Sequence, residues 1–164
     1  MEHLFFICPT DHLEPVINEA FQDENYFWTS LGNSVEFDTE MLLELYEWIQ
    51  TKEIRRITLV LSSCNSIIRD AIERQDYSQL SDLNPFYHRM AKQKEQSEVV
   101  WQRCDQRFLL LSYHLNQKIA ELKQGLGNFL IPQITIEGKI FNRKKNQFCD
   151  VYSDLICRDW ICVN

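Results

Sequence analysis

The hydrophobic pattern of the chain changes period within Ile54–Arg74, and the other predicted elements are arranged around this segment. The apolar run Ile57–Leu61 is mostly branched and too short for a buried helix, so it predicts a strand covered on both faces. After a small polar turn, apolar residues recur at helical spacing, which predicts a helix that begins near Ser63 or Asn65. The segment is therefore predicted to be a strand, a tight turn and a helix.

Shorter periodic segments precede this unit. The pattern predicts strands at Leu4–Cys8 and Tyr26–Leu31 and a short helix at Glu14–Phe21 between them. A further helix is expected after a cap at Asp38 or Thr39, because apolar residues then recur on one helical face. The first half of the chain thus alternates strands and helices.

Two more helices are predicted after the central unit. Pro85–Met90 has the pattern of a short helix, and Ala91–Glu98 that of a charged connector or a continuation. Val99–Lys123 has one nearly continuous apolar face and predicts a long helix, which Gly125 and Gly127 are expected to end.

The segments before the tail predict a hairpin, since the predicted strands Gln133–Phe141 and Gln147–Tyr152 flank a polar turn. The apolar tail Ser153–Asn164 is expected to pack on the body or on a second subunit. The resulting element order favours an α/β fold: a single domain over residues 1–164, with a largely parallel sheet flanked by helices and a terminal strand pair.

Composition narrows the classes of partner and compartment. The chain has 164 residues and a net charge of −7, which argues against nucleic acid as a partner. No signal peptide or membrane-spanning run is apparent, so we expect no membrane association. Six scattered cysteines in a chain with ample apolar residues are unlike a disulfide-stapled secreted module. We therefore expect a soluble cytoplasmic protein with reduced thiols.

Several segments resemble the β-class carbonic anhydrases. Leu4–Cys8, reading LFFIC, resembles the family strand that ends in a Cys ligand, and Leu31–Asn33 resembles the A-G-N turn after its second strand. Gly138–Asn142, reading GKIFN, resembles its G-x-V-Y-D strand, and Asn116 can match the Asn of its late N-V-x-x-Q helix. This resemblance covers most of the chain. It implies the family fold, a zinc ion held by two Cys and one His, and an Asp–Arg pair that controls the fourth position.

The first zinc motif transfers only in part. The resemblance implies Cys8 as a metal ligand, and with one inserted residue the family's C-x-D-x-R matches Asp11 to the Asp. Leu13 then stands at the Arg position. Asp11 is therefore a candidate catalytic carboxylate without its local Arg partner.

The second zinc motif lacks an imidazole in either register. Without gaps, LSSCNS matches G-H-x-x-C-G, with Ser62 at the His and Asn65 at the Cys. A slip of one residue makes Cys64 a ligand but puts Leu61 at the His. A zinc site would therefore need His12, His114 or a residue of a second subunit, so we predict no cofactor, with zinc as the possibility to test.

The same turn has two readings that require no metal. Ser62, Ser63 and Asn65, with the first N–H groups of the helix, could hold a small anion or could simply cap the helix. Cys64 at the helix start could be a nucleophile or a redox sensor. A phosphatase-like loop is excluded, because Arg69 follows Cys64 too closely and the turn has no glycine.

The remaining features concern surfaces and partners. The resemblance implies a homodimer, for which Phe27 and Trp28 are reasonable interface residues. The basic tip Arg143–Asn146 is interpreted as a solvated hairpin end. Cys157 and Cys162 lack the spacing of a metal knuckle.

These observations predict a catalytically degenerate β-carbonic-anhydrase-like protein. It is expected to bind a small anion or a protein partner and not to hydrate carbon dioxide. Two alternatives stay open at this point: a zinc-dependent carbonic anhydrase with rebuilt ligands, and a thiol-based enzyme or redox sensor that uses Cys64.

Overall fold

The computed structural model of the chain describes residues 2–100, 106–127, 129 and 134–152. The described strands are β1 (Glu2–Ile7), β2 (Glu24–Thr29), β3 (Arg56–Ser62), β4 (Thr135–Asn142) and β5 (Gln147–Asp150). The described helices are α1 (Glu14–Ala20), α2 (Thr39–Thr51), α3 (Ser66–Glu73), α4 (Asn84–Val100) and α5 (Gln106–Gly127). Short 3-10 turns at Pro9–Asp11 and Leu31–Asn33 follow the first two strands.

The strands form one sheet in the order β2-β1-β3-β4-β5. β1 pairs in parallel with β2 and β3, and β3 pairs in parallel with β4. β5 runs antiparallel to β4, which closes the predicted hairpin. The predicted α/β fold, with a largely parallel sheet and a terminal strand pair, is confirmed.

Both faces of the central strands are buried, as the continuous apolar run of β3 predicted. On one face, Leu4 and Phe6 of β1 pack with Leu59 and Leu61 of β3 in a core that α2, α3, α4 and α5 complete. On the other face, a smaller core contains Val60 and side chains from α1. The carboxyl ends of β1 and β3 therefore emerge between two helix layers.

Side-chain caps begin the two helices whose starts the sequence predicts. Asp38 Oδ1 accepts a hydrogen bond from Met41 N at 2.9 Å, and Asn65 Oδ1 accepts one from Ile68 N at 2.8 Å. Each cap satisfies an N–H group that has no partner within its helix. Asn65 thereby fixes the direction in which the turn after β3 enters α3.

The structure corrects the predicted division of the second half into helices. Pro85–Met90 and Ala91–Glu98 belong to the single helix α4, so the charged segment is the predicted continuation rather than a connector. Val99 lies near the end of α4, and the next described helix begins at Gln106. The predicted helix Val99–Lys123 is confirmed from Gln106 onward and Val99 is helical within α4, while residues 101–105, including Cys104, lie outside the described residues.

Gly125 does not end the long helix, because α5 continues to Gly127. A Cβ atom at Gly125 would lie 2.7 Å from Leu42 Cδ1, so the absence of a side chain lets α5 approach α2 closely. The prediction of a helix end at this glycine was wrong, since the glycine serves packing.

No helix within the described ranges is long and apolar enough to cross a lipid bilayer. The predicted docking of the tail Ser153–Asn164, and the cysteines Cys157 and Cys162 in it, lie outside the described residues.

Candidate functional site

Two turns meet at the carboxyl edge of the sheet, because β1 and β3 are adjacent and parallel. One turn contains Cys8 to Asp11, and the other contains Ser62 to Asn65. Open α/β sheets bind ligands at this edge, so these turns form the candidate site.

Asp11 joins the two turns through its carboxylate. The side chain is only 2% exposed, and its Oδ2 accepts hydrogen bonds from Ser62 N at 2.8 Å and from Asn65 Nδ2 at 2.9 Å. Burial raises the pKa of Asp11, while the two hydrogen bonds and the nearby charge of Arg143 act in the opposite direction. The candidate carboxylate is therefore engaged within the protein.

Arg143 reaches the same turns from the β4–β5 hairpin. Its Nε donates to Ser62 Oγ at 3.0 Å, and its Nη2 donates to the backbone oxygen of Asp11. The tip Arg143–Asn146 is exposed, as interpreted from the sequence, but Arg143 also hydrogen-bonds to both turns. Leu13, at the position where the family motif has Arg, is buried in the smaller core beside α1.

The amide groups of the turn after β3 all have acceptors within the chain. Besides the bond from Ser62 N to Asp11, Ser63 N donates to Phe141 O at 2.9 Å. Cys64 N donates to Ser62 Oγ at 3.2 Å, and Asn65 N donates to Ser62 O at 3.0 Å. We refer to Asp11, Ser62, Asn65 and Arg143 as the closed network. Its Asp11 carboxylate already occupies donors that an external anion would use.

Cys8 is fully buried and lies beside the turn Leu31–Asn33, which follows β2. Its Sγ accepts a hydrogen bond from Gly32 N at 3.1 Å and lies 3.1 Å from Thr10 Oγ1. Gly32 has a φ of +61°, and a Cβ there would lie 3.0 Å from the ring of Phe86, so the turn requires glycine at this position.

His114 contacts the carbonyl oxygen of the same glycine. Its Nε2 lies 2.9 Å from Gly32 O and donates to it, and the side chain is 1% exposed. Burial lowers the pKa of His114 to about 4, so the ring is neutral at physiological pH. The Gly32 peptide is thus held between Cys8 and His114. The other proposed histidine, His12, is exposed.

Cys64 belongs to a different environment from Cys8. It is exposed and lines a cleft of about 510 Å³ together with Ser63, Lys94, Arg107 and Lys144. We call this the cationic cleft. The turn after β3 therefore sends Ser62 and Asn65 into the closed network and Ser63 and Cys64 into the cleft.

These residues do not fit the zinc site that the sequence resemblance implies. Within the described part of the chain, no group of three or more His, Cys, Asp or Glu side chains is arranged to hold a metal ion. Ser62 and Asn65, at the implied His and Cys positions, hydrogen-bond to Asp11 instead. Structural and catalytic zinc sites need at least three good protein ligands, which this arrangement lacks.

Sequence reasoning did not identify several of these participants. Arg143 and the cleft residues Lys94 and Arg107 come from distant elements, and no local motif marks them. The one available signal was the resemblance of Leu31–Asn33 to a family turn, which places Gly32 beside Cys8.

No family model and no curated protein matches the sequence, whereas several solved structures match its fold. The β-carbonic anhydrase CafD of Aspergillus fumigatus is 14% identical over 93% of this chain and 90% of its own, with a TM-score of 0.72. One of two tetrameric β-carbonic anhydrases from Sordaria macrospora is 11% identical over 91% and 79%, with a TM-score of 0.68. The carbonic anhydrase of Streptococcus mutans is 15% identical over 92% and 81%, with a TM-score of 0.56. The chain therefore has the β-carbonic anhydrase fold, and the resemblance seen in its sequence is confirmed at that level.

Proposed function

We propose that this protein uses a β-carbonic anhydrase fold to bind a small anion and does not hydrate carbon dioxide. The observation that carries the proposal is the bonding of Asp11 to Ser62 N and Asn65 Nδ2. Ser62 and Asn65 match the His and Cys ligand positions of the family motif when the alignment has no gap. Hydrogen bonds therefore join the two turns that shared zinc ligation would otherwise join.

The chemistry of the donor set supports the loss of hydration. Zinc lowers the pKa of a bound water only when the protein supplies a suitable ligand set, and a hydroxyl and an amide are poor substitutes for imidazole and thiolate. Cys8 remains, but its sulfur is hydrogen-bonded to Gly32 N in a fully buried position. The Nε2 atom of His114 is also engaged, because it donates a hydrogen bond to Gly32 O.

Anion binding is supported by the cationic side chains near the same sheet edge. Arg143 spans the two turns, and Lys94, Arg107 and Lys144 line the adjacent cleft. Of the three residues that the sequence suggested for an anion, Ser63 lines this cleft. The anion is therefore proposed to bind beside the closed network rather than within it.

The same proposal includes a homodimer in the cytoplasm. Phe27 and Trp28 lie on β2, which is one of the two edge strands of the described sheet, and both are half-buried. Cys8, Cys64 and Cys149 carry free thiols, as a reducing compartment would maintain. Light scattering on the purified protein is expected to give twice the chain mass of 19.6 kDa, and a monomeric mass would contradict the dimer.

The hydration reaction tests the proposal most simply. Protein incubated with excess zinc is expected to accelerate carbon dioxide hydration no more than buffer does, and Cys8→Ser is expected to behave identically. Hydration that disappears in Cys8→Ser would contradict the proposal and would favour a zinc enzyme with rebuilt ligands. The double variant Ser62→His with Asn65→Cys restores the family's ligand types and is expected to bind zinc more tightly than the wild type.

A thiol-based function is the second candidate, and one observation favours it. Cys64 is exposed in a cleft that also contains Lys94, Arg107 and Lys144. Exposure makes the thiol accessible to an electrophile or an oxidant, which a buried thiol is not. The rate at which Cys64 is alkylated distinguishes this candidate from simple anion binding.

A further inference from the structure

We propose that the guanidinium of Arg143 binds the small anion through the edge that the protein leaves open, and that this anion presents two oxygen atoms bound to one central atom. Carboxylate and phosphate groups share this chemistry. The assignment rests on the small-anion binding proposed above. It names the residue that recognises the ligand and the class of anion that this residue accepts.

The hydrogen bonds of Arg143 occupy only one of its two donor edges. A guanidinium has five N–H bonds, and either of two edges can donate a pair of parallel hydrogen bonds. One edge contains Nε and one N–H of Nη2, and Arg143 uses it to donate to Ser62 Oγ at 3.0 Å and to Asp11 O. The other edge contains Nη1 and the second N–H of Nη2, and it has no hydrogen-bond acceptor in the part of the chain that the structure describes. We call this second edge the open fork.

The charge of Arg143 is not neutralised by a direct ion pair. Its two acceptors are a hydroxyl and a backbone carbonyl, which are both uncharged. No carboxylate of the described residues lies within ion-pair distance of its guanidinium. The Asp11 carboxylate is near enough to feel its charge, but Oδ2 of that carboxylate accepts from Ser62 N and Asn65 Nδ2 instead. An incoming anion would therefore replace water at the open fork, not a carboxylate of the protein.

The backbone around Arg143 holds the open fork in position. Ser63 N donates to Phe141 O at 2.9 Å, which ties the end of β3 to β4 just before the hairpin turn. Asn142 Oδ1 accepts a hydrogen bond from Lys144 N at 3.0 Å, so the turn is closed across Arg143. The two bonds of the first edge then restrict rotation of the side chain itself. A donor that is already oriented loses less conformational entropy when a ligand binds.

The two edges of Arg143 differ in their access to solvent. Arg143 is exposed, whereas Ser62 and Asp11, which accept hydrogen bonds from the first edge, are both buried. The first edge therefore faces the protein, and the open fork remains accessible. Arg143 thus belongs to the closed network through one edge and is available to a ligand through the other.

The shape of the open fork selects the class of ligand. Two parallel N–H groups match two oxygen atoms that are held on one carbon or phosphorus atom, as in a carboxylate or a phosphate. Chloride is a single centre and does not provide this match. A lysine ammonium is a point charge without a fork, so the exposed Lys144 and Lys145 in the same turn do not provide the same recognition.

Titration of the purified full chain with acetate, inorganic phosphate and chloride at constant ionic strength tests this inference. The readout is the NMR signal of the Arg143 side-chain N–H groups, which is assigned by its loss in Arg143→Lys. We expect a saturable shift with acetate, with phosphate or with both, and a dissociation constant on the order of millimolar for an exposed site. The two oxyanion arms distinguish a planar ligand from a tetrahedral one. Chloride that saturates the signal as tightly as both oxyanions would overturn the assignment.

Two variants separate the fork from the charge. Arg143→Lys keeps the charge and removes the fork, and backbone amide shifts are expected to show oxyanion binding that is at least about fivefold weaker. Lys145→Gln is the matched control, because it removes a charge from the same turn and leaves the fork intact, and it is expected to change the affinity less than about twofold. Equal weakening in the two variants would overturn the assignment, since the affinity would then follow net charge alone.

Failure of this assignment and failure of the proposed function give different results. Saturable oxyanion binding that is equally tight in the wild type and in Arg143→Lys would overturn the role of Arg143 and leave the proposed function intact. Absence of saturable binding of acetate and phosphate up to about 100 mM would overturn both. Zinc-dependent hydration together with oxyanion binding that depends on Arg143 would overturn the proposed function alone.

Discussion

The closed network and the cationic cleft share one turn but differ in how their polar groups are satisfied. Ser62 and Asn65 are buried and bond to Asp11. Ser63 and Cys64, between them in sequence, line the open cleft. Residues of a single turn are thereby divided between holding the fold together and remaining accessible to a ligand.

The difference follows from the cost of burying polar groups. A buried carboxylate is tolerated only when hydrogen bonds replace its lost hydration, and Asp11 has such donors. Lys144 in the cleft lining is exposed, so it keeps much of its hydration and can exchange water for a ligand. We therefore expect changes in the network to alter stability and changes in the cleft to alter binding.

The largest expected contrast is between the thiols of Cys8 and Cys64. Cys8 is fully buried and Cys64 is exposed, so Cys8 can react only after the core opens. Alkylation at neutral pH, followed by peptide mapping, is expected to label Cys64 about a thousandfold faster. Comparable alkylation rates would contradict the placement of Cys8 in the core and Cys64 in the open cleft. A Cys64 rate no faster than that of a free thiol would remove the thiol-based candidate.

Removal of the carboxylate at the centre of the network should be the next largest effect. Asp11→Ala leaves Ser62 N and Asn65 Nδ2 buried without their acceptor and is expected to lower the free energy of unfolding by about 3 kcal/mol. Urea denaturation measures this change. Asp82→Ala, at an exposed position, is the control and is expected to cost less than about 0.5 kcal/mol. Equal losses in the two variants would refute the structural role of Asp11.

Acid should destabilise the fold through two buried histidines. Burial lowers the pKa of both His3 and His114 to about 4, below the unfolded value of 6.5. As the pH falls, these histidines are therefore protonated in the unfolded chain before they are protonated in the folded one. The stability of the fold with respect to these two groups is highest above pH 6.5 and decreases as the pH falls towards 4. The slope contributed by each histidine is on the order of 1.4 kcal/mol per pH unit, opposed in part by Asp11, whose pKa is raised.

His114→Gln keeps a donor for Gly32 O and removes the titration of one of these histidines. Its unfolding free energy is expected to depend on pH about half as steeply between pH 6.5 and 4. His88→Gln, at an exposed position, should leave the profile unchanged. An unchanged slope in His114→Gln would show that this histidine does not titrate as its burial implies.

The smallest expected effect separates Arg143 from its neighbours in the hairpin tip. Arg143→Ala removes the bonds to Ser62 Oγ and Asp11 O and is expected to cost about 1 kcal/mol in thermal or urea unfolding. Lys145→Ala should have almost no effect, because its side chain is exposed. If both variants unfold like the wild type, the guanidinium does not brace the two turns.

Local patterns were sufficient to predict most of the fold. The strand β3 and the cap residues Asp38 and Asn65 depend on period and on side-chain chemistry within a few residues, which the sequence contains directly. Errors arose where tertiary packing determines the outcome. A glycine such as Gly125 is typical of a helix end, but here the close approach of Leu42 explains why the position has no side chain.

The candidate site was predicted less completely for the same reason. Cys8 and Asp11 follow a recognisable strand, so their place at the sheet edge could be predicted. The hydrogen bonds of Arg143 to the two turns could not, because they depend on where the hairpin places this exposed residue relative to β3. Similarly, Cys64 and Asn65 differ in burial although they are adjacent, and only the geometry of the turn distinguishes them.

Zinc affinity is the measurement that tests the central claim most directly. The purified, reduced protein is made to compete with a chelator for zinc. We expect any zinc binding that depends on Cys8 to have a dissociation constant weaker than about micromolar, whereas structural zinc sites bind far more strongly than that. One zinc per chain, bound tightly by the wild type and lost in Cys8→Ser, would contradict the replacement of the metal by the Asp11 hydrogen bonds.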